Sequence, residues 1–71
     1  MNADIFLAMK YKRLIMLLPE ICFEIGAEVG TVRNRMSAGT FPIPTRKEGK
    51  FVVADVRDVG KYLDDLRNKN G

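Results

Sequence analysis

Two glycines thirteen positions apart, Gly26 and Gly39, divide the middle of this sequence into two short helical runs. The first, "LPEICFEI", opens with Pro19, whose missing N–H costs nothing in the first turn of a helix. Glu20 follows at the positive end of the helix dipole. Ile21 and Ile25 define an inward face flanked by Leu18 and Cys22, and Gly26 ends the run by taking a left-handed conformation cheaply. The second run, Glu28 to Ala38, repeats the plan. Val29, Val32 and Met36 form one stripe, Gly30, Thr31, Arg33, Asn34 and Ser37 lie on the other side, and Gly39 stops it. Two short helices joined by a tight glycine turn predict a helix-turn-helix over residues 18–39.

The flanks complete the architecture. Pro42 and Pro44 hold the next segment extended, and the strand-like pieces "PTR" and "KFVVA" flank "KEG". These predict a β-hairpin over residues 43–54 with Arg46, Lys47 and Lys50 around its tip. Val56, Val59, Tyr62 or Leu63, and Leu66 follow helical spacing, which predicts a closing helix over residues 55–69. Asp55 is its expected N-cap, and Asp58 three residues on makes an imperfect capping box. Gly60 inside that helix costs up to about 1 kcal/mol against alanine, and close packing is the expected reason for it. The N-terminal "IFLAMKYKRLIML", residues 5–17, lacks helical periodicity. It reads either as two short strands joined by a turn or as one extended arm. The whole is expected to be α+β, mainly α, in a single domain spanning residues 1–71.

A chain of 71 residues buries only roughly 60% of its unfolded surface, so a partner or a second copy is a natural expectation. A hydrophobic content of 46% with 30% charged residues suits an ordinary globular protein. One cysteine permits no internal disulfide, and the absence of histidine leaves no Cys/His metal set. The cytoplasm is the expected compartment, without a cofactor or a membrane. "LIMLL" is too short to span a bilayer, and no small-residue cleavage site follows it, so no signal peptide is expected.

Net charge is +3 and unevenly spread. Residues 1–17 carry three bases and one acid, whereas residues 18–30 carry Glu20, Glu24 and Glu28 and no base. Residues 31–50 hold Arg33, Arg35, Arg46, Lys47 and Lys50 against Glu48 alone. A phosphate-binding surface needs such a concentrated positive field, and a solvated charged face would have the same composition.

The run "EICFEIGAEVGTVRNRMSAGTFP", Glu20 to Pro42, resembles the AlpA-type and excisionase regulators of phages and mobile elements, small winged-helix relatives of the MerR type. Their pattern is met by Glu20, Ile21, Gly26, Thr31, Val32, Gly39, Phe41 and Pro42 with every spacing kept. Val56, Tyr62 and Leu63 are similar to the closing helix of that family, and "IFLAMKYKRLIMLLPEIC" is similar to the start of the pyocin-activator family. The chain departs from the pattern at Val29 and Gly30, where small polar residues are usual, and at Arg35, where an aliphatic residue is common. The resemblance implies a winged helix-turn-helix that binds double-stranded DNA. Its role would be transcriptional regulator or, alternatively, excisionase that bends attachment-site DNA. RNA polymerase or an integrase is the protein partner that each role would bring.

Chemistry then assigns the side chains. Arginine grips guanine and asparagine grips adenine through paired hydrogen bonds, which makes Arg33 and Asn34, with Ser37 beside them, the base-reading candidates. Thr31 either bonds phosphate at the helix start or serves as a structural cap. Arg35 either contacts phosphate or lays its stem over the core. Arg46, Lys47 and Lys50 would meet a phosphate strand or the adjacent minor groove. Phe41 and Cys22 are expected in the core. The stripe Glu20, Glu24 and Glu28 is either solvated or meets the basic arm of a neighbouring copy, giving self-association along DNA. Without histidine, a phosphate-cradling glycine loop or a nucleophile beside a base, catalysis is not expected. A protein-binding adaptor is the competing class, and it would lack the salt dependence of phosphate contacts.

Overall fold

The computed structural model describes residues 2–70. Its elements run α1 (Ala3–Tyr11), β1 (Ile15–Leu17), α2 (Leu18–Ile25), α3 (Val29–Ala38), β2 (Arg46–Glu48), β3 (Phe51–Asp55) and α4 (Val56–Asn70). The strands form one antiparallel sheet in the order β1-β3-β2. The protein is thus α+β and mostly helical. No described helix is long and apolar enough to cross a membrane.

The glycine-framed pair forms much as its residues dictate. Pro19 lies in the first turn of α2, and Gly26 closes it with φ 71°. Glu28 has extended backbone ahead of α3, so that helix starts one residue later than expected. Gly39, at φ 72°, donates from its N–H to the carbonyls of Arg35 and Met36. The hairpin is shifted along the chain. Its tip is Gly49-Lys50, because Glu48 pairs with Phe51 and Lys47 with Val52. Gly49 takes φ 62° at the first of the two turn positions, as a type II′ turn requires.

The N-terminal segment departs most from expectation. Residues 3–11 form a helix, and only Ile15–Leu17 is a strand. The helix shows no amphipathic period because its outer residues Ile5, Phe6 and Met9 are as apolar as the buried Leu7. Lys12 in a left-handed conformation ends it.

Two apolar clusters make the core. Leu7, Met16, Ile21, Ile43, Ala54, Val56 and Val59 fill the space between α1, the sheet and α4. Leu18, Cys22, Val32 and Val52 tie α2 and α3 to β3. Phe41 is half-buried and touches both. At Gly60 the two terminal helices approach so closely that an added Cβ would lie 2.4 Å from the Asp4 backbone N. Asp55 does cap α4, its Oδ1 accepting the Arg57 N–H at 2.8 Å. The Arg57 guanidinium and N–H together hold the Asp55 carboxyl at about 2.

Candidate nucleic-acid interface

Helix α3 is attached to the rest of the chain by a narrow stripe. Val32 is buried and Met36 half-buried, while every other residue of the helix is exposed. Val29, expected in that stripe, is 37% exposed because it stands in the first turn where the chain lifts away. At about 100° per residue, Gly30, Arg33, Asn34 and Ser37 share one outward face. The small Gly30 and Ser37 leave Arg33 and Asn34 standing clear. Arg35 falls about 160° from Arg33 and so flanks the stripe on its other side. The two arginines therefore stand on different faces of the helix. Arg35 is exposed rather than laid over the core.

Thr31 is exposed in the first turn, and its side chain makes no hydrogen bond among the described residues. The capping position belongs to Glu28, which gives no side-chain cap bond either. At the other end, the Thr40 N–H donates to the Arg35 carbonyl at 2.9 Å and its hydroxyl does so at 3.3 Å. Those bonds and Gly39 stop the helix, and Phe41 then anchors the outgoing chain.

The hairpin meets α3 on the Arg33 side. Arg33, Lys50 and Phe51 line one shallow cleft of about 170 Å³ with Leu17, Leu18, Pro19 and Val52. Cross-strand register puts Lys47 on the same sheet face as Val52, the residue packed with Val32. Arg46 points to the opposite face and bonds Glu48 at 2.9 Å. Arg33 also reaches the α2 side. Burial pushes the Cys22 thiol up, and the Arg33 charge opposes that rise.

Charge pairing separates the cations into two groups. Among the described residues Lys10, Arg13, Arg46, Arg57 and Lys61 each pair with a carboxylate. Arg33, Arg35, Lys47 and Lys50 pair with none there, as is true of Lys12 and Arg67 outside this region, so the described residues leave the positive field of α3 and the hairpin tip uncompensated. Two members of the acidic stripe, Glu20 and Glu24, are engaged from within the chain, whereas Glu28 lies ahead of α3 and pairs with no cation among the described residues. Glu24 accepts from Lys10 Nζ and from the Tyr11 hydroxyl, both at 2.6 Å. Glu20 accepts from Arg13 and from the Leu17 N–H. Burial works to raise the Glu24 carboxyl, but the bonds from Lys10 and Tyr11 outweigh it and hold it below the usual range. Burial, followed by the bond to Glu24, pushes Tyr11 up to about 12.

Phe51 is the residue that sequence reading missed. Placed in an apolar strand, it looks like core, yet it is 58% exposed beside Lys50 and Arg33. The signal was its position directly after a two-residue turn, on the sheet face opposite Val52.

Fold and surface together define a small α+β protein with an exposed, uncompensated basic helix next to a basic hairpin tip. No family model matches the chain, and no significant match was found among curated proteins or solved structures.

Proposed function

We propose that this chain is a winged helix-turn-helix module that binds double-stranded DNA and acts as a transcriptional regulator of the AlpA-like, excisionase-like kind. In this reading α2 and α3 are the helix-turn-helix, and the β2–β3 hairpin is the wing. The observation that carries it is the state of α3. A helix held by Val32 and Met36 alone, with every other position exposed and its arginines unpaired, spends little of itself on the fold. Arg33 and Asn34 read base edges in the major groove, Ser37 sits beside them, and Thr31 and Arg35 meet phosphates. Lys47 and Lys50 touch the flanking backbone; Arg46, on the opposite face of the strand, is available to a separate phosphate once Glu48 yields it. An exposed ion pair of that kind is worth only about 0–1 kcal/mol.

One observation favours the alternative role of a recombination directionality factor. Phe51 places an exposed aromatic ring at a basic hairpin tip, and apolar wedges in the minor groove kink DNA.

The test is a footprint on DNA flanking the gene at two salt concentrations, followed by a bend measurement on the protected fragment. Arg33→Ala with Asn34→Ala removes protection, since each lost bidentate contact costs about 1–3 kcal/mol of discrimination. Phe51→Ala keeps protection. If it also abolishes a bend beside an attachment site, the protein is a directionality factor; protection of an unbent promoter makes it a regulator. No protection at either salt overturns DNA binding altogether.

A further inference from the structure

Helix α1 is apolar on both sides. Its inner residue Leu7 is fully buried against α4 and the sheet, yet its outer residues Ile5, Phe6 and Met9 are 52%, 44% and 73% exposed. Phe23 of α2, 73% exposed, extends the same patch, since the Lys10 ammonium lies 5.9 Å from the Phe6 ring centre and 5.0 Å from that of Phe23. Helices that are apolar all round are ordinarily covered all round.

The patch is also electrically quiet. Its one cation, Lys10, is neutralised by Glu24 at 2.6 Å, with the Glu24 side chain only 11% exposed. With roughly 200 Å² for a fully exposed large side chain, the four residues present about 500 Å² of apolar surface. That equals the largest apolar patch a typical monomer shows, about 300–600 Å². A partner must bring an apolar patch of matching size, and a second copy brings one: together the two bury about 1,000 Å², which reaches the threshold for a specific interface before any rim is added.

The charges at the ends of α1 also favour a copy of the same chain. Asp64 sits at its N-terminal end, accepting the Ala3 N–H at 3.3 Å and pairing with no cation among the described residues. Lys12 sits exposed at the C-terminal end, and it too pairs with no carboxylate among them. An antiparallel two-fold pairing brings each Lys12 to the other copy's Asp64 and sets opposite helix-dipole ends side by side.

We propose that α1 is a dimerisation helix, which packs antiparallel on the α1 of a second copy about an axis level with Leu7, with Phe23 at the edge of the contact. The inference stands whether or not the protein binds DNA. Sedimentation equilibrium of the full chain across the micromolar range should give about twice the chain mass of 8.0 kDa. Met9→Asp and Phe23→Asp should each return the single-chain mass, with the helical circular dichroism of the parent and a melting temperature that no longer rises with protein concentration. A mixture of Ile5→Cys and Met9→Cys chains should form the mixed disulfide in excess of either like pair. A parent that stays at 8.0 kDa into the hundreds of micromolar overturns the proposal and leaves the patch to a different protein. Dimers that survive Met9→Asp, or an excess of like-pair disulfides, overturn this interface and this orientation.

Discussion

At the scale of single residues, Glu20, Glu24 and Asp55 are each held by a basic neighbour, while the central cations Arg33, Arg35, Lys47 and Lys50 have no carboxylate partner among the described residues. Asp55 is the clearest case. It accepts the Arg57 N–H at 2.8 Å and its guanidinium at 3.0 and 2.8 Å, which lowers its carboxyl to about 2 from an ordinary value of 3.8. A carboxyl depressed in the folded state adds stability that is fully present above its unfolded value and fades as pH falls through the folded one. Asp55→Asn keeps the cap, since asparagine caps as well as aspartate, and removes the charge. Urea unfolding at neutral pH should therefore show the variant to be the weaker protein. The gap should close between about pH 4 and about pH 2, where the parent loses the same contribution. A gap independent of pH would assign the effect to packing. Sequence alone reached Asp55 as a cap, because capping is a local code. It did not reach the pairs Lys10–Glu24 and Arg13–Glu20, because those depend on how α1 and the following turn fold back over α2.

At the scale of elements, α2 and α3 were legible and α1 was not, for one physical reason. Glycines in left-handed conformation punctuate the first two, and each buries a stripe at helical spacing. Helix α1 is stopped by Lys12, which carries no such signature, and its apolar outer face erases the period. The turn was expected over "KEG" with Gly49 supplying the positive φ; the pairing of Glu48 with Phe51 keeps Gly49 in the turn but moves Lys47 and Glu48 into the strand. That shift converts Lys47 from a tip residue into a strand residue on the α3 side and leaves Phe51 exposed at the tip. Among the candidate site residues, Arg33 and Lys50 line one cleft, and Lys47 lies on the sheet face that packs against α3. Arg35 and Arg46 do not join them, since helix rotation and strand alternation carry them to other faces. The contact of α1 with α4 makes its own prediction. Gly60→Ala improves helix propensity by about 1 kcal/mol. It nevertheless drives a methyl into the Asp4 backbone, 2.6 Å from its Cα, and overpacking of that kind costs about 1–3 kcal/mol. Thermal melts should show a drop of several degrees; a rise would mean that α1 retreats without loss.

At the scale of the whole molecule, the two ends of the sequence complete one another. Leu7 from α1 joins Val56 and Val59 from α4 in one cluster, and the Ala3 N–H reaches Asp64 across 61 positions of sequence. Removal of residues 1–11 should therefore abolish the cooperative melt rather than shorten the protein by a helix, because Met16, Val56 and Val59 lose their cover. A deletion that still melts cooperatively would make α1 an appendage. The closure also has a meaning in time. During synthesis the amino end emerges first, and α1 can meet α2 early through Lys10, Tyr11 and Glu24, but its inner face lacks the cover of Val56 and Val59 until α4 has been made. The sheet is in the same position, since β1 finds its only partner in β3. A nascent chain of this kind holds its core open until β3 and α4 have been made and then closes in one late step, so whatever the molecule grips, it grips only once α4 is in place.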